Sequence, residues 1–156
     1  MNLTEIAVLL DPRIDAELVK SCKEHLDRFG LHCETKSFSA MTDPDALGEY
    51  VGKATERGIK VFIIAQGPGS KLSSFVAART MRPVIAIPFG SSSTTVSETL
   101  LDAARTAEGV PVAVMTAGDD GGGKNAAILA AQILALSDNH LNDRLRFFKQ
   151  NGCRFS

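Results

Sequence analysis

The sequence predicts an α/β domain in which helices cover both faces of a parallel sheet. Short apolar runs alternate with longer helical patterns along the whole chain of 156 residues, and this order is typical of a parallel sheet with helical crossovers. The apolar runs are continuous rather than alternating, as in strands that are buried on both faces. No linker or internal repeat interrupts the pattern, so residues 1–156 are predicted to form a single domain.

Five apolar runs predict the strands, at residues 6–10, 33–38, 61–65, 84–87 and 112–116. Right-handed crossovers leave few ways to order five parallel strands, and the flavodoxin-like order in a three-layer αβα sandwich is the one we expect. Ligands of such sheets bind outside the carboxyl ends of the strands. A site is therefore predicted among the loops that follow the strands, at residues 11–14, 39–42, 66–70, 88–94 and 117–124.

Six helical segments are predicted, at residues 15–29, 43–57, 71–79, 95–106, 125–136 and 139–149. Gly30 and Gly58 are expected to end the first two, because glycine readily adopts the left-handed conformation that follows a helix. The fifth segment is apolar on almost every side and should be the most buried. The polar residues 150–156 are expected to fray or to dock on a neighbouring chain.

Composition excludes several classes of partner. The formal net charge of −1 gives no reason to expect nucleic acid or an anionic membrane surface. No apolar stretch approaches the ~20 residues of a membrane span, and the amino terminus lacks the basic region of a signal peptide. Cys22, Cys33 and Cys153 are odd in number and widely spaced, which indicates a reducing compartment and neither a disulfide framework nor a zinc site. We expect a cytoplasmic protein that acts on a small molecule without metal or cofactor.

The most distinctive stretch is a predicted strand followed by the glycine-rich residues 118–123 and then a helix from Asn125. Backbone N–H groups at such a helix start can bind an anion, with Gly121, Lys124 and Asn125 as candidate contacts. The stretch is not a Walker A loop, because Asn125 stands where that motif needs a hydroxyl. A tight turn from strand to helix explains the glycines equally well. The adjacent Asp119 and Asp120 are interpreted first as turn residues that accept local N–H groups, and second as a cation site or base.

The segments GVPVAV and NAAILAAQILALSD stand on either side of the glycines. Through these two segments, residues 109–138 resemble the aminoimidazole ribonucleotide carboxylases. That family includes the carboxyaminoimidazole ribonucleotide mutases of purine biosynthesis. Three other loops match the family in position. SAMTDP (residues 39–44) lies where the family has Ser-Ala-His-Arg-Thr-Pro, QGPGSKLSSF (66–75) where it has a glycine-rich stretch ending in His-Leu-Pro-Gly, and DPRID (11–15) where it has Gly-Ser-x-Ser-Asp.

The resemblance implies a flavodoxin-like homo-octamer with sites shared between subunits. It also implies a reaction that moves a carboxyl group to or from an aminoimidazole ribonucleotide. Met41 and Thr42 replace the family's histidine and arginine, and Lys71 replaces its second histidine. A thioether has no exchangeable proton, so Met41 cannot be an acid or base, whereas the reaction needs a proton-transfer group of near-neutral pKa.

These departures favour a divergent carboxylase or decarboxylase that acts on a different small carboxylated or aminoimidazole-like substrate. The alternatives are a non-catalytic ligand-binding protein of the same fold and an authentic mutase of purine biosynthesis. Lys71, Asp15 and Ser39 are the candidate catalytic residues, with Lys71 as the replacement proton carrier or, alternatively, a plain exposed lysine. The candidate substrate-binding residues are Asp11, Arg13, Met41, Gly67, Gly69, Ser70, Pro88, Phe89, Gly90, Ser91, Gly121, Lys124 and Asn125. For the hydroxyl-rich run that begins at Ser91, an N-cap cluster is an equally good interpretation.

Overall fold

The computed structural model describes residues 3–117 and 119–156, with the side chains of residues 119 and 120 outside the description. Its sheet has five parallel strands in the order β2-β1-β3-β4-β5, the predicted flavodoxin-like order. The strands are β1 (Thr4–Leu10), β2 (His32–Ser37), β3 (Val61–Gln66), β4 (Val84–Pro88) and β5 (Ala113–Val114).

Helices connect successive strands and cover the sheet. A 3-10 turn (Ala16–Val19) leads into α1 (Lys20–Arg28), so the first predicted helix is divided in two. The others are α2 (Pro44–Glu56), α3 (Leu72–Ala77), α4 (Ser93–Ala104), α5 (Asp119–Ala135) and α6 (Asn139–Gln150). None of the helices described here is both long and apolar enough to cross a bilayer.

The apolar core forms two layers because successive strand residues point to opposite faces of the sheet. In β1, Ile6 and Val8 belong to the layer under α1, α5 and α6, whereas Ala7 and Leu9 belong to the layer under α2 and α3. All four are fully buried. The central strands therefore hold the loops at their carboxyl ends on a rigid base.

Two strands differ from the prediction of continuous burial. β2 pairs with β1 on one side and forms an edge of the sheet, so Glu34 and Thr35 are only half-buried and Lys36 is exposed. β5, at the other edge, is two residues long where five were predicted. The apolar pattern identified both strands, but the prediction that they are buried on both faces was wrong, because the layers that bury the central strands cover these edge strands only in part.

Helix α5 begins at Asp119, six residues before the predicted start at Asn125. Gly121, Gly122 and Gly123 are therefore helical, and the last two lie in close packing. A Cβ at Gly122 would be 2.4 Å from the backbone oxygen of Thr116, and one at Gly123 would be 2.8 Å from Ser21 Oγ. These glycines bring α5 close to the sheet and to α1, which supports the interpretation as a packed strand-to-helix connection.

The segment after α6 contacts its own chain through Phe155, and its docking on a neighbouring chain stays a prediction. The ring of Phe155 lies 4.8 Å from those of Phe29 and Phe148. The guanidinium of Arg28 lies over the Phe155 ring at 4.6 Å and donates to the backbone oxygen of Ser156 at 3.2 Å. Aromatic burial and a cation–π contact therefore hold the segment on α1 and α6.

Candidate functional site

A cavity of about 400 Å³ lies at the carboxyl end of the sheet, between the loops that follow β1, β2 and β3. The three strands are neighbours in the sheet, so their loops converge there. A volume of this size suits a small-molecule ligand. We call it the strand-end cavity; its lining residues are Asp11, Pro12, Arg13, Ser39, Ala40, Met41, Thr42, Gly69, Ser70 and Lys71. The structure thus brings together many of the predicted site residues from three separate loops.

The buried carboxylate of Asp11 joins the first loop to the third. Its Oδ1 accepts hydrogen bonds from the backbone N–H and the Nε of Arg13, both at 3.0 Å, and Ser70 also hydrogen-bonds to the carboxylate. Arg13 Nη2 donates to the backbone oxygen of Pro68 at 3.2 Å. Burial alone would raise the pKa of Asp11, but the bonds from Arg13 and Ser70 and the charge of Arg13 outweigh it and hold the pKa below its usual value. Asp11 is therefore an anion at neutral pH.

Ser39 shapes the second loop. Its Oγ accepts hydrogen bonds from the backbone N–H groups of Met41 and Thr42, each at 3.2 Å, and Asp43 Oδ2 accepts from the N–H of Ser39 at 3.3 Å. The Met41 side chain is left 77% exposed at the mouth of the cavity. This geometry favours a positioning role for Ser39, because its oxygen already holds the turn.

Lys71 lies on the third loop at the start of α3, with its side chain 58% exposed. Its Nζ is 3.9 Å from Oδ1 of Asp102 on α4, and the other carboxylate oxygen of Asp102 accepts from the N–H of Gly69 at 3.3 Å. Gly69 has a φ of 74°, in the left-handed region that favours glycine. Asp102 was not predicted from the sequence, because no local pattern links a carboxylate on α4 to a loop about thirty residues earlier.

Gln66 is a second residue whose role was not predicted from the sequence. It is buried at the end of β3, and its Oε1 accepts from the backbone N–H of Ser73 at 2.9 Å. Gln66 thereby fixes the first turn of α3 behind the third loop. The available signal was a single amide side chain at the end of an otherwise apolar strand.

Several predicted site residues are not among the residues that line the strand-end cavity. The exposed Asp15 accepts from the N–H of Glu17 at 3.0 Å and caps the 3-10 turn. Gly67 lies in the third loop, where a Cβ would be 3.5 Å from Ile14. Gly121 and Asn125 are exposed on α5 and Lys124 is half-buried there. The Asp119–Asp120 interpretation concerns side chains outside the described part of the chain.

The loop after β4 packs against and caps the first turn of α4. Pro88 and Phe89 are buried, and a Cβ at Gly90 would be 2.5 Å from the backbone nitrogen of Val96. Ser91 is exposed, and the hydroxyls that follow it form a capping box between Ser92 and Thr95. Of the two interpretations of this run, the structure supports the N-cap cluster.

The strand-end cavity offers two cations, one buried anion and hydroxyl groups. No histidine is among the described residues that line it. His25, for example, lies on α1, and its ring packs edge-on against the ring of Phe155. Groups of three or more His, Cys, Asp or Glu that could hold a metal ion are absent from the described residues. Among the described lining residues, the side chains that carry exchangeable protons at neutral pH are Lys71, Arg13, Ser39, Thr42 and Ser70.

Comparison with known proteins gives one consistent result. The family described as AIR carboxylase matches residues 5–154. The chain is 33% identical over 149 residues to the N5-carboxyaminoimidazole ribonucleotide mutase of Saccharolobus solfataricus, covering 96% of this chain and 92% of that one. It is 36% identical over 146 residues to the same-named protein of Bacillus subtilis, covering 94% and 90%. The crystal structure of Treponema denticola PurE has the same fold, with a TM-score of 0.85 at 21% identity over 95% of this chain and 90% of that one.

Proposed function

The chain belongs to the AIR carboxylase family, and on that premise we propose that it is an N5-carboxyaminoimidazole ribonucleotide mutase whose site is the strand-end cavity. The observation that carries the proposal is the convergence of Asp11, Arg13, Ser39, Ser70 and Lys71 on one ligand-sized cavity. Identity of 33–36% to mutases across nearly the whole chain supports the same substrate. These findings favour the authentic mutase over the divergent enzyme with a different substrate that Met41 and Thr42 suggested.

The cations of the cavity suit a ligand with phosphate and carboxylate groups. The Nε of Arg13 donates a hydrogen bond to Asp11, and its Nη2 donates to Asp11 and to the backbone oxygen of Pro68. Its Nη1 takes part in none of these hydrogen bonds. We propose that Nη1 donates to a ligand anion, since a guanidinium held by a carboxylate is already oriented for a second one. Lys71 adds a mobile charge, because its contact with Asp102 is long and half-exposed.

We propose Lys71 as the group that carries the proton when the ring carbon exchanges it for the carboxyl group. Lys71 lines the cavity, has exchangeable protons and occupies the position of the family's second histidine. Asp11 is less suited, because its lowered pKa and its bonds to Arg13 and Ser70 keep it ionised and fixed. Met41 contributes contact area at the mouth of the cavity and no proton.

A second candidate function is ligand binding without turnover. One observation favours it: the position of the family's proton-carrying histidine is occupied by Met41, and none of the described lining residues is a histidine. In this case the cavity would still bind the carboxylated ribonucleotide through Arg13 and Lys71.

Two measurements test both candidates. The first is complementation of a bacterial strain that lacks its own mutase, and the second is isothermal titration with aminoimidazole ribonucleotide and its carboxylated forms. Purine-independent growth that Lys71→Ala abolishes is the result expected of a mutase. Binding without growth, with growth gained in Met41→His, identifies the non-catalytic candidate. Absence of binding to any of these ribonucleotides overturns both.

We propose that the chain assembles as a homo-octamer, as the family resemblance implies. Met81 and Leu136 are almost fully exposed in the single chain, and Leu3 is largely exposed; an assembly would remove these apolar side chains from water. Light scattering after gel filtration tests the proposal, and the mass of a monomer would contradict it. Location in the cytoplasm stays a prediction from cysteine usage.

A further inference from the structure

Asp102 contacts the wall of the strand-end cavity from outside the three loops that form it. It lies on α4, in the connection between β4 and β5, and its carboxylate is 31% exposed. One oxygen accepts from the N–H of Gly69 at 3.3 Å, and the other faces Lys71 Nζ at 3.9 Å. A single side chain thus contacts two residues that line the cavity.

We infer that Asp102 is a positioning residue for this cavity, an inference that rests on the proposed function of the cavity. Its hydrogen bond fixes the third loop at Gly69, and its charge keeps Lys71 beside the cavity until a ligand anion replaces it. Gly69 has a φ of 74°, and a loop in this conformation is ordered by the bonds that its own N–H groups make. Asp102 acts on the ligand only through these two neighbours.

The two contacts differ in strength. A backbone N–H that donates to a carboxylate forms a charge-assisted bond of defined direction. The pair with Lys71 joins two partly exposed groups at the outer limit of an ion pair, and such pairs contribute little to stability. The N–H bond is therefore the contact that orders the loop, and the ion pair is the contact that a ligand can exchange.

Three variants separate the two contacts. Asp102→Asn keeps an oxygen acceptor for Gly69 and removes the charge opposite Lys71. Asp102→Ala removes both, and alanine suits the helical position. Glu98→Ala is the matched control, because Glu98 is an exposed carboxylate one turn earlier on α4 and does not line the cavity.

The first measurement is hydrogen–deuterium exchange of residues 67–71 in the ligand-free variants, and the second is titration with the carboxylated ribonucleotide. We expect Asp102→Ala to speed exchange and to weaken binding about tenfold, equal to 1.4 kcal/mol. Asp102→Asn should keep slow exchange and bind within about threefold of the wild type, since a neutral acceptor loses only part of the bond. Glu98→Ala should match the wild type in both. If turnover is found, Asp102→Ala should raise KM more than it lowers kcat.

The outcomes distinguish this inference from the proposed function. Wild-type binding that Asp102→Ala leaves unchanged overturns the positioning role and leaves the proposed function intact. Exchange that is as fast in Asp102→Asn as in Asp102→Ala also overturns it, because the acceptor would then be irrelevant. If the wild type binds no ribonucleotide, the proposed function fails, and the exchange rates alone decide whether Asp102 orders the loop.

Discussion

Replacement of Gly122 by alanine is expected to destabilise the fold, whereas the same change at its neighbour Gly121 is not. A Cβ at Gly122 would lie 2.4 Å from the backbone oxygen of Thr116 and 3.0 Å from Cγ2 of Ile87. Ordinary carbon contacts begin near 3.5 Å, so α5 must move away by about 1 Å. The oxygen belongs to the backbone and cannot rotate out of the way.

The magnitude follows from two opposing terms. Forcing an extra methyl group into a packed contact costs about 1–3 kcal/mol, and replacing glycine in a helix by alanine returns about 0.5–1 kcal/mol. Gly122→Ala is therefore expected to lower the free energy of unfolding by about 1 kcal/mol at the middle of these ranges and by about 2.5 kcal/mol at most. At Gly121 nothing lies within 4 Å of the added atom, so only the favourable term remains and Gly121→Ala should be neutral or slightly stabilising.

Urea denaturation of both variants, fitted with a common slope, measures this difference. Equal stability of the two variants would refute the packing role of the glycines. Titration with the carboxylated ribonucleotide adds a functional arm. Gly121→Ala should bind as tightly as the wild type. Loss of binding in a stable Gly121→Ala protein would instead support the interpretation of the glycine run as an anion-binding site.

Three further predictions concern titration, reactivity and packing. The pKa of Asp11 is lower in the folded protein than in the unfolded chain, so its carboxylate stabilises the fold fully above the unfolded pKa near 3.8 and loses this contribution as the pH falls through the folded pKa. The thermal midpoint of Asp11→Asn, measured against pH, should lack this part of the acid dependence. A pH profile equal to that of the wild type would contradict the prediction. Burial raises the pKa of Cys22 to about 12, so iodoacetamide should modify the exposed Cys153 and spare Cys22 in the native protein, as peptide mass spectrometry can show. Arg144 Nη1 donates to the backbone oxygen of Phe29 at 2.6 Å, and Arg144→Leu should lower the free energy of unfolding by about 1–3 kcal/mol in urea, since that oxygen loses its partner; a change below the error of the fit would argue that water replaces the bond.

The sheet could be predicted from the sequence because burial on both faces leaves a direct trace in apolar runs. β3 and β4 were placed to within one residue at their carboxyl ends. The start of α5 was missed for a physical reason. Glycine has low helix propensity, so the run at 121–123 indicated a loop, whereas close packing at Gly122 and Gly123 requires glycine within the helix.

The structure brings together only some of the predicted site residues. Arg13, Ser39 and Lys71 meet at one cavity because strand order alone determines which loops are neighbours. Asp15 was expected beside them, but its carboxylate accepts from the N–H of Glu17 and caps the turn that starts at the next residue, and a local cap of this kind competes with a role in a site. Asp102 could not be predicted, because its contact with Gly69 depends on how α4 packs against β4 and β5, beside the loop that follows β3.

The two edges of the sheet determine how copies of this chain can meet. β5 is only two residues long, and β2 carries the charged side chains of Glu34 and Lys36. Short and charged edge strands are poor templates for strand addition by another chain, which is the route to aggregation through sheet edges. Growth of the sheet from one molecule into the next is therefore disfavoured at both ends, so association between copies should use helix faces and loops and should stop at a closed assembly.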